Sequence, residues 1–197
     1  MTTIKNYLSL VKFSHTIFAM PFAIIGFVLG LKSNSNIQEI SNKEYGLKFM
    51  LVIICMITAR SAAMAFNRYL DRSFDSKNPR TAIREIPKGI ISANSALRFV
   101  IINCVVFIIA TYFINPICLY LSPVALFVIL FYSYTKRFTA LCHLVLGVGL
   151  SLAPIGAFLA VTGVFAIIPI LFSLAVIFWV SGFDIIFALQ DVDFDQS

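Results

Sequence analysis

Two clusters of polar side chains stand out in a chain that carries little charge. The first reads Arg60-Ser-Ala-Ala-Met-Ala-Phe-Asn67-Arg-Tyr-Leu-Asp71-Arg-Ser-Phe-Asp75. On a helix, Asn67, Asp71 and Asp75 are successive one-turn neighbours on a single face. Arg60 points nearly the same way, two turns earlier. The second cluster reads Asp184-Ile-Ile-Phe-Ala-Leu-Gln-Asp191-Val-Asp193-Phe-Asp195. Spacings of seven and four put Asp184, Asp191 and Asp195 on one face as well. Like charges one turn apart repel, and an acid or Arg at mid-membrane depth costs roughly 2.5–3.5 kcal/mol. A hard divalent cation offsets both penalties. Mg²⁺ suits the donor set, since it takes one or two carboxylates, keeps waters and accepts phosphate oxygens as further ligands. Two such pairs on two helices would clamp a diphosphate from both sides. Acids alone repel an anion, so cations are also required, and Arg72, Lys77, Arg80, Arg84, Lys136 and Arg137 are the candidates.

The elements that must position these groups are membrane spans. Of 197 residues, 60% are hydrophobic and 12% charged, with 20 Phe; the mean hydropathy is +0.94. A water-soluble domain carries about 25% charged residues. Such a composition excludes a cytosolic globule, a disordered tail and a disulfide scaffold. Six stretches approach the roughly 20 apolar residues needed to cross a bilayer: 11–31, 47–67, 96–114, 117–135, 140–162 and 164–189. Asn115-Pro116 and Thr162-Gly163 punctuate tight connections between them. With the N-terminus in the cytoplasm, Lys5, Lys12, Arg68, Arg72, Lys77, Arg80, Arg84, Lys88, Arg98, Lys136 and Arg137 fall inside. Only Lys32, Lys43 and Lys48 fall outside, which is a positive-inside pattern. Glu39 and Glu44 are the outer acids; the remaining acids lie at the inner ends of spans or beside them. The net charge of +6 therefore reads as basic cytoplasmic loops, not as a nucleic-acid surface. Cys55, Cys104, Cys118 and Cys142 are isolated in apolar runs and are expected to be small core residues. His15 and His143 are expected to have no catalytic role, Tyr132 and Tyr134 to be interfacial belt residues, and Gly147, Gly149, Gly156 and Pro154 to mark close packing and a kink. An intramembrane Arg is a functional candidate by default, and pairing of Arg60 with a helix carbonyl is the alternative.

At these residues the chain resembles the UbiA-type membrane prenyltransferases. Asn67, Asp71 and Asp75 match that family's NxxxDxxxD signature. Asn78-Pro-Arg-Thr81, Arg84 and Pro87-Lys-Gly89 resemble the loop after it. Tyr132-Ser-Tyr-Thr-Lys136-Arg137-Phe-Thr139 is similar to the segment between the fourth and fifth helices, and Asp184 to Asp195 to the second aspartate-rich motif. The opening Ser14-His15-Thr16-Ile-Phe-Ala-Met-Pro21-Phe22-Ala23 is similar to the 4-hydroxybenzoate polyprenyltransferase-like branch. Glu85 departs from the family, which often has Pro there. The resemblance implies an all-α integral membrane protein, one UbiA-like transmembrane helix bundle over residues 1–197. Six spans of the family's eight or nine are present, so the C-terminal helices are expected to be missing.

The resemblance also implies an Mg²⁺-dependent transferase in a bacterial inner membrane, with its active site on the cytoplasmic side. Its partners are a polyprenyl diphosphate, an aromatic acceptor (4-hydroxybenzoate or a related quinone precursor) and the lipid bilayer, and no nucleic acid. Asp71, Asp75, Asp191 and Asp195 would hold the metal. Asn67, Arg72, Arg80, Arg84, Lys136 and Arg137 would bind the diphosphate. Asp191 or Asp184 would assist deprotonation of the acceptor, and Arg60 would face the acceptor's carboxylate. Haem, chlorophyll or naphthoate acceptors within the superfamily are alternatives, as is a divalent-cation transporter. The aspartate spacing of a CDP-alcohol phosphotransferase is absent.

Overall fold

A computed structural model of the chain describes residues 3–33, 42–139 and 141–188. The elements are α1 (Thr3–Leu10), α2 (Phe13–Ser33), α3 (Asn42–Asp75), α4 (Ala93–Ile114), α5 (Pro116–Thr135), α6 (Cys142–Thr162) and α7 (Ile167–Ala188). No strand occurs among the described residues. Helices α2 to α7 are each long and apolar enough to cross a membrane, which matches the six expected spans and makes this an integral membrane protein.

Two of those spans differ from expectation in a way that matters for the site. The first does not begin at Val11, because the chain breaks at Lys12. That residue has φ 41°, a left-handed conformation that non-glycine residues seldom adopt. Helix α1 is thereby turned off α2, and Leu10 and Val11 are buried in a cluster with Ala62, Ala65, Ile91 and Ala96. The second span is one unbroken helix of 34 residues, about 51 Å long against a hydrocarbon core of about 30 Å. Its C-terminal turns must project past the apolar layer. Asn67, Asp71 and Asp75 are on those turns.

Local chemistry sets the other boundaries. Ser92 caps α4, its hydroxyl accepting from the Ser95 N–H at 3.1 Å. Asn115 separates α4 from α5: its side-chain oxygen accepts from the Cys118 N–H at 2.8 Å, and Pro116 takes the first helical position, where no N–H is needed. The same Asn115 amide donates to the Leu159 carbonyl at 2.8 Å, tying the α4–α5 hairpin to α6. Gly163, with φ 67°, ends α6 in the left-handed conformation that favours glycine.

The most extensive contacts are α2 on α6, α3 on α4 and α6 on α7. Small residues permit them. A Cβ built on Gly26 would lie 2.2 Å from the Pro154 carbonyl oxygen, so α2 reaches α6 only because nothing is there. Alternating helix direction collects the C-terminal ends of α3, α5 and α7 and the N-terminal ends of α2, α4 and α6 at one end of the bundle. The outward faces are apolar: Ile101, Ile102, Val105, Ile109, Tyr112 and Phe113 of α4 are all exposed, as lipid contact requires.

Gly26→Ala should therefore destabilise the protein by about 1–3 kcal/mol, lowering its thermal midpoint in mild detergent. Gly46→Ala, on the exposed side of α3 with nothing within 4 Å of the added carbon, should leave the midpoint unchanged or raise it. Equal midpoints for the two variants would remove the close α2–α6 approach from the account.

Candidate functional site

Asp71 and Asp75, the acids at the C-terminal end of α3, are each met by a cation from another segment. The Lys136 ammonium, just past the end of α5, contacts both Asp71 Oδ2 and Asn67 Oδ1. Arg137 lies 3.9 Å from the other Asp71 oxygen and donates to the Leu70 carbonyl at 2.9 Å. Asp75 is buried, and Arg84 Nη1 stands 2.8 and 2.9 Å from its two oxygens. The loop carrying Arg84 is fastened to α3 in two further places. Thr81 Oγ1 donates to the Asp75 carbonyl at 3.0 Å, and Glu85 pairs with the buried Arg68 while accepting from Ser9 of α1. Glu85 thus has a structural use here, joining α1, α3 and the loop.

Below this charged mouth lies a cavity of about 790 Å³. Lys12, Asn67, Arg68 and Arg84 line its polar end; Val52, Ile114, Cys118, Leu121 and Leu159 line the far end. Burial pushes the Lys12 ammonium below the ordinary lysine range, and Arg68, Arg84 and Arg80 push it the same way while Glu85 opposes them. The local field is net positive, as an anion-binding mouth requires. Between the two ends, Arg60, Tyr132 and Asp184 line the wall. Tyr132 and Asp184 share this wall with Arg60, and Arg60 Nε is buried with no hydrogen-bond partner among the described residues. Asp184 accepts from His143 Nδ1 at 2.8 Å.

Most of the site residues read from the sequence converge on this mouth and wall: Asn67, Asp71, Asp75, Arg84, Lys136, Arg137, Arg60 and Asp184. Arg72 does not. Its guanidinium donates to the Tyr69 carbonyl at 2.6 Å and stacks over the Tyr69 ring at 4.6 Å, a local arrangement on its own helix. The Arg80 backbone N–H is held by Asn78 Oδ1 at 2.9 Å, and its charge is felt at Lys12. Asp191 and Asp195, and the side chain of His15, lie outside the described residues. Tyr132, expected in an interfacial belt, lines the cavity instead, whereas Tyr134 is exposed. Lys12 and Arg68 were not legible as lining residues, because the cavity is closed by segments distant in sequence.

The donor set at the mouth suits a hard cation. Asn67, Asp71 and Asp75 offer oxygen atoms, the ligand type that Mg²⁺ takes; among the described residues no three His, Cys, Asp or Glu side chains are grouped so as to hold a metal ion.

Comparison with known proteins agrees with the geometry. The UbiA prenyltransferase family profile matches residues 19–197. A 4-hydroxybenzoate octaprenyltransferase of Tolumonas auensis is 35% identical over 136 residues, 69% of this chain and 48% of that protein. The enzyme of the same name from Francisella tularensis subsp. novicida is 32% identical over 146 residues, 74% of this chain and 51% of that protein. The chain therefore spans about half the length of the curated relatives it matches. Among solved structures, the apo form of a UbiA homologue from Aeropyrum pernix superposes with a TM-score of 0.78 at 32% identity, covering 93% of this chain and 66% of that one. A UbiA homologue from Archaeoglobus fulgidus bound to GPP and Mg²⁺ shares the fold, with a TM-score of 0.69 at 21% identity over 97% of this chain and 65% of that one. With the profile running over nine-tenths of the sequence and the same bundle recovered in space, the chain belongs to the UbiA prenyltransferase family.

Proposed function

We propose that the protein transfers a polyprenyl group from its diphosphate to an aromatic acceptor, 4-hydroxybenzoate or a related quinone precursor. It would do so in a bacterial plasma membrane, with the N-terminus and the charged mouth on the cytoplasmic side. The observation that carries this reading is one cavity with two unlike ends, a cation-rich polar mouth and an apolar interior. A prenyl diphosphate has that polarity. The basic residues on the mouth side support the orientation through the positive-inside rule. The names of the bacterial relatives at 31–35% identity support the acceptor. A cation transporter would need polar groups along the whole path, and the far half of this cavity is apolar.

In this mechanism Asp71 and Asp75, with Asp191 and Asp195 from the second motif, would hold Mg²⁺, which when bound would supply positive charge to the departing diphosphate. Lys136, Arg137, Arg84, Arg68 and Lys12 contribute charge-assisted hydrogen bonds to the same anion. As the C1–O bond breaks, both its electrons pass to the diphosphate oxygen and an allylic cation remains. The apolar wall keeps water from that cation. Arg60 binds the acceptor's carboxylate and sets its depth, with its unpartnered Nε as one of the donors. The ring carbon beside the hydroxyl gives a π pair to C1, and Asp184 takes the proton that this carbon then loses.

Two variants test the assignment in membranes supplied with radiolabelled polyprenyl diphosphate, Mg²⁺ and 4-hydroxybenzoate. Asp71→Asn should lower product formation by at least about 100-fold with normal membrane insertion, and EDTA should abolish activity that Mg²⁺ restores. Turnover at the wild-type rate in either case would sink the metal-assisted reading. Arg60→Gln should raise KM for the acceptor by about 10- to 100-fold, the worth of a hydrogen bond to a charged group, while KM for the diphosphate stays constant. An unchanged acceptor KM would place the carboxylate elsewhere.

A further inference from the structure

His143 is the one imidazole whose side chain is described, and its place in the fold is constructed by packing. It lies one turn before Gly147 on α6, where α7 approaches closely. A Cβ on Gly147 would stand 2.5 Å from the Ile177 carbonyl oxygen and 2.6 Å from Ser181 Oγ. That absence of a side chain lets Ser181 reach across. Its hydroxyl lies 3.1 Å from the His143 carbonyl oxygen and 2.7 Å from that of Ile177. One turn further along α7 is Asp184, whose Oδ2 accepts from His143 Nδ1 at 2.8 Å. Gly147, Ser181, His143 and Asp184 form one patch of the α6–α7 seam, two of them closing the helices and two meeting there.

The geometry has a chemical consequence. Asp184 lines the cavity; His143 does not. Both side chains are about three-quarters covered, at 25% and 23% exposure. An Asp side chain has two rotatable bonds, and without a partner on the α6 side its carboxylate would be drawn to Arg60, whose field it shares. A donor at Oδ2 fixes the rotamer and leaves Oδ1 free to face the cavity.

We propose that His143 is a positioning residue for prenyl transfer, holding Asp184 so that Oδ1 receives the proton lost by the acceptor ring. The inference rests on the prenyl-transfer reading above and adds to it the residue that sets the geometry of proton removal. In the step concerned, the new bond joins prenyl C1 to the ring carbon. The C–H electron pair of that carbon returns to the ring and restores aromaticity, and the proton ends on Asp184. His143 exchanges no proton in this step. Nδ1–H remains a donor throughout.

The test compares wild type, His143→Leu and His143→Asn in membranes, using prenyl diphosphate, Mg²⁺ and 4-hydroxybenzoate carrying either hydrogen or deuterium on the carbons flanking the hydroxyl. His143→Asn keeps an N–H donor at the distance of Nδ1 from the backbone, whereas His143→Leu removes the donor at similar bulk. His143→Leu should lower kcat roughly 100-fold, the low end of what a placed general base contributes. It should leave KM for the diphosphate unchanged and produce a primary deuterium isotope effect larger than in wild type, since proton removal becomes slow. His143→Asn should restore most of kcat and reduce the isotope effect. A Leu variant with wild-type kcat and isotope effect overturns the proposal. So does a Leu variant whose kcat falls with no gain in isotope effect and no rescue by Asn, which is the pattern of a purely structural residue. Wild type that transfers no prenyl group to any aromatic acceptor overturns the prenyl-transfer reading itself, and this proposal with it.

Discussion

Ionised carboxylates at the end of an apolar bundle must each be met by a cation, and the rest of the structure is arranged around that requirement. Removing a carboxylate from water is costly unless the charge is paired and hydrogen-bonded. Asp71 is met by Lys136 and Arg137, and Asp75 by Arg84. These partners come from two different parts of the chain, so satisfying two acids on α3 fixes the end of α5 and folds the α3–α4 loop back onto the helix. Glu85 extends the same logic to α1 through Arg68 and Ser9. Charges that would each be a liability alone become the fasteners of the mouth. They also leave it net positive, as the proposed diphosphate would require.

The apolar part depends on close approach instead of charge. In a lipid environment the hydrophobic effect does not drive helices together, so packing and interhelical hydrogen bonds must. Gly26 against Pro154 and Gly147 against Ile177 remove the side chains that would hold α2 and α7 away from α6. Asn115 adds a hydrogen bond from the α4–α5 turn to the Leu159 carbonyl, and Ser173 adds one from α7 to the Ser151 carbonyl at 2.9 Å. Helix α6 is the common partner in every case. Its central position explains why the groups lining the cavity from α2, α3, α5 and α7 reach one volume.

The membrane spans and the α3 acids were legible because both rest on local periodicity. Twenty apolar residues in a row and polar groups one turn apart need no tertiary information. The break at Lys12 was not legible, since a left-handed lysine is imposed by how α1 packs on α3 and leaves no composition signal. Arg72 shows the converse. Its position in the motif promised a role at the mouth, but on the helix it faces the Tyr69 ring, and charge type alone could not reveal that. Tyr132 read as an interfacial belt residue and His143 as a residue without a catalytic role, because the cavity wall and the Asp184 carboxylate that they meet are built only by the packing of α3, α5, α6 and α7.

The site is therefore divided by the kind of contact that builds it. Residues that would handle the diphosphate are held by ion pairs at the projecting end of α3, past the apolar layer. Those that would handle the acceptor, Arg60, Tyr132 and Asp184, are held deeper by helix packing, with His143 behind them at the α6–α7 seam. Breaking a C–O bond to form an allylic cation needs strong positive charge at the departing oxygen. Capturing that cation needs a dry wall and one well-aimed base. The cluster of cations at the mouth, placed next to the base, would draw its carboxylate away more strongly than Arg60 alone does. Separating the two along the axis of one cavity lets each step have its own electrostatics, and a glycine-permitted helix contact keeps the second region rigid without adding further charge to it.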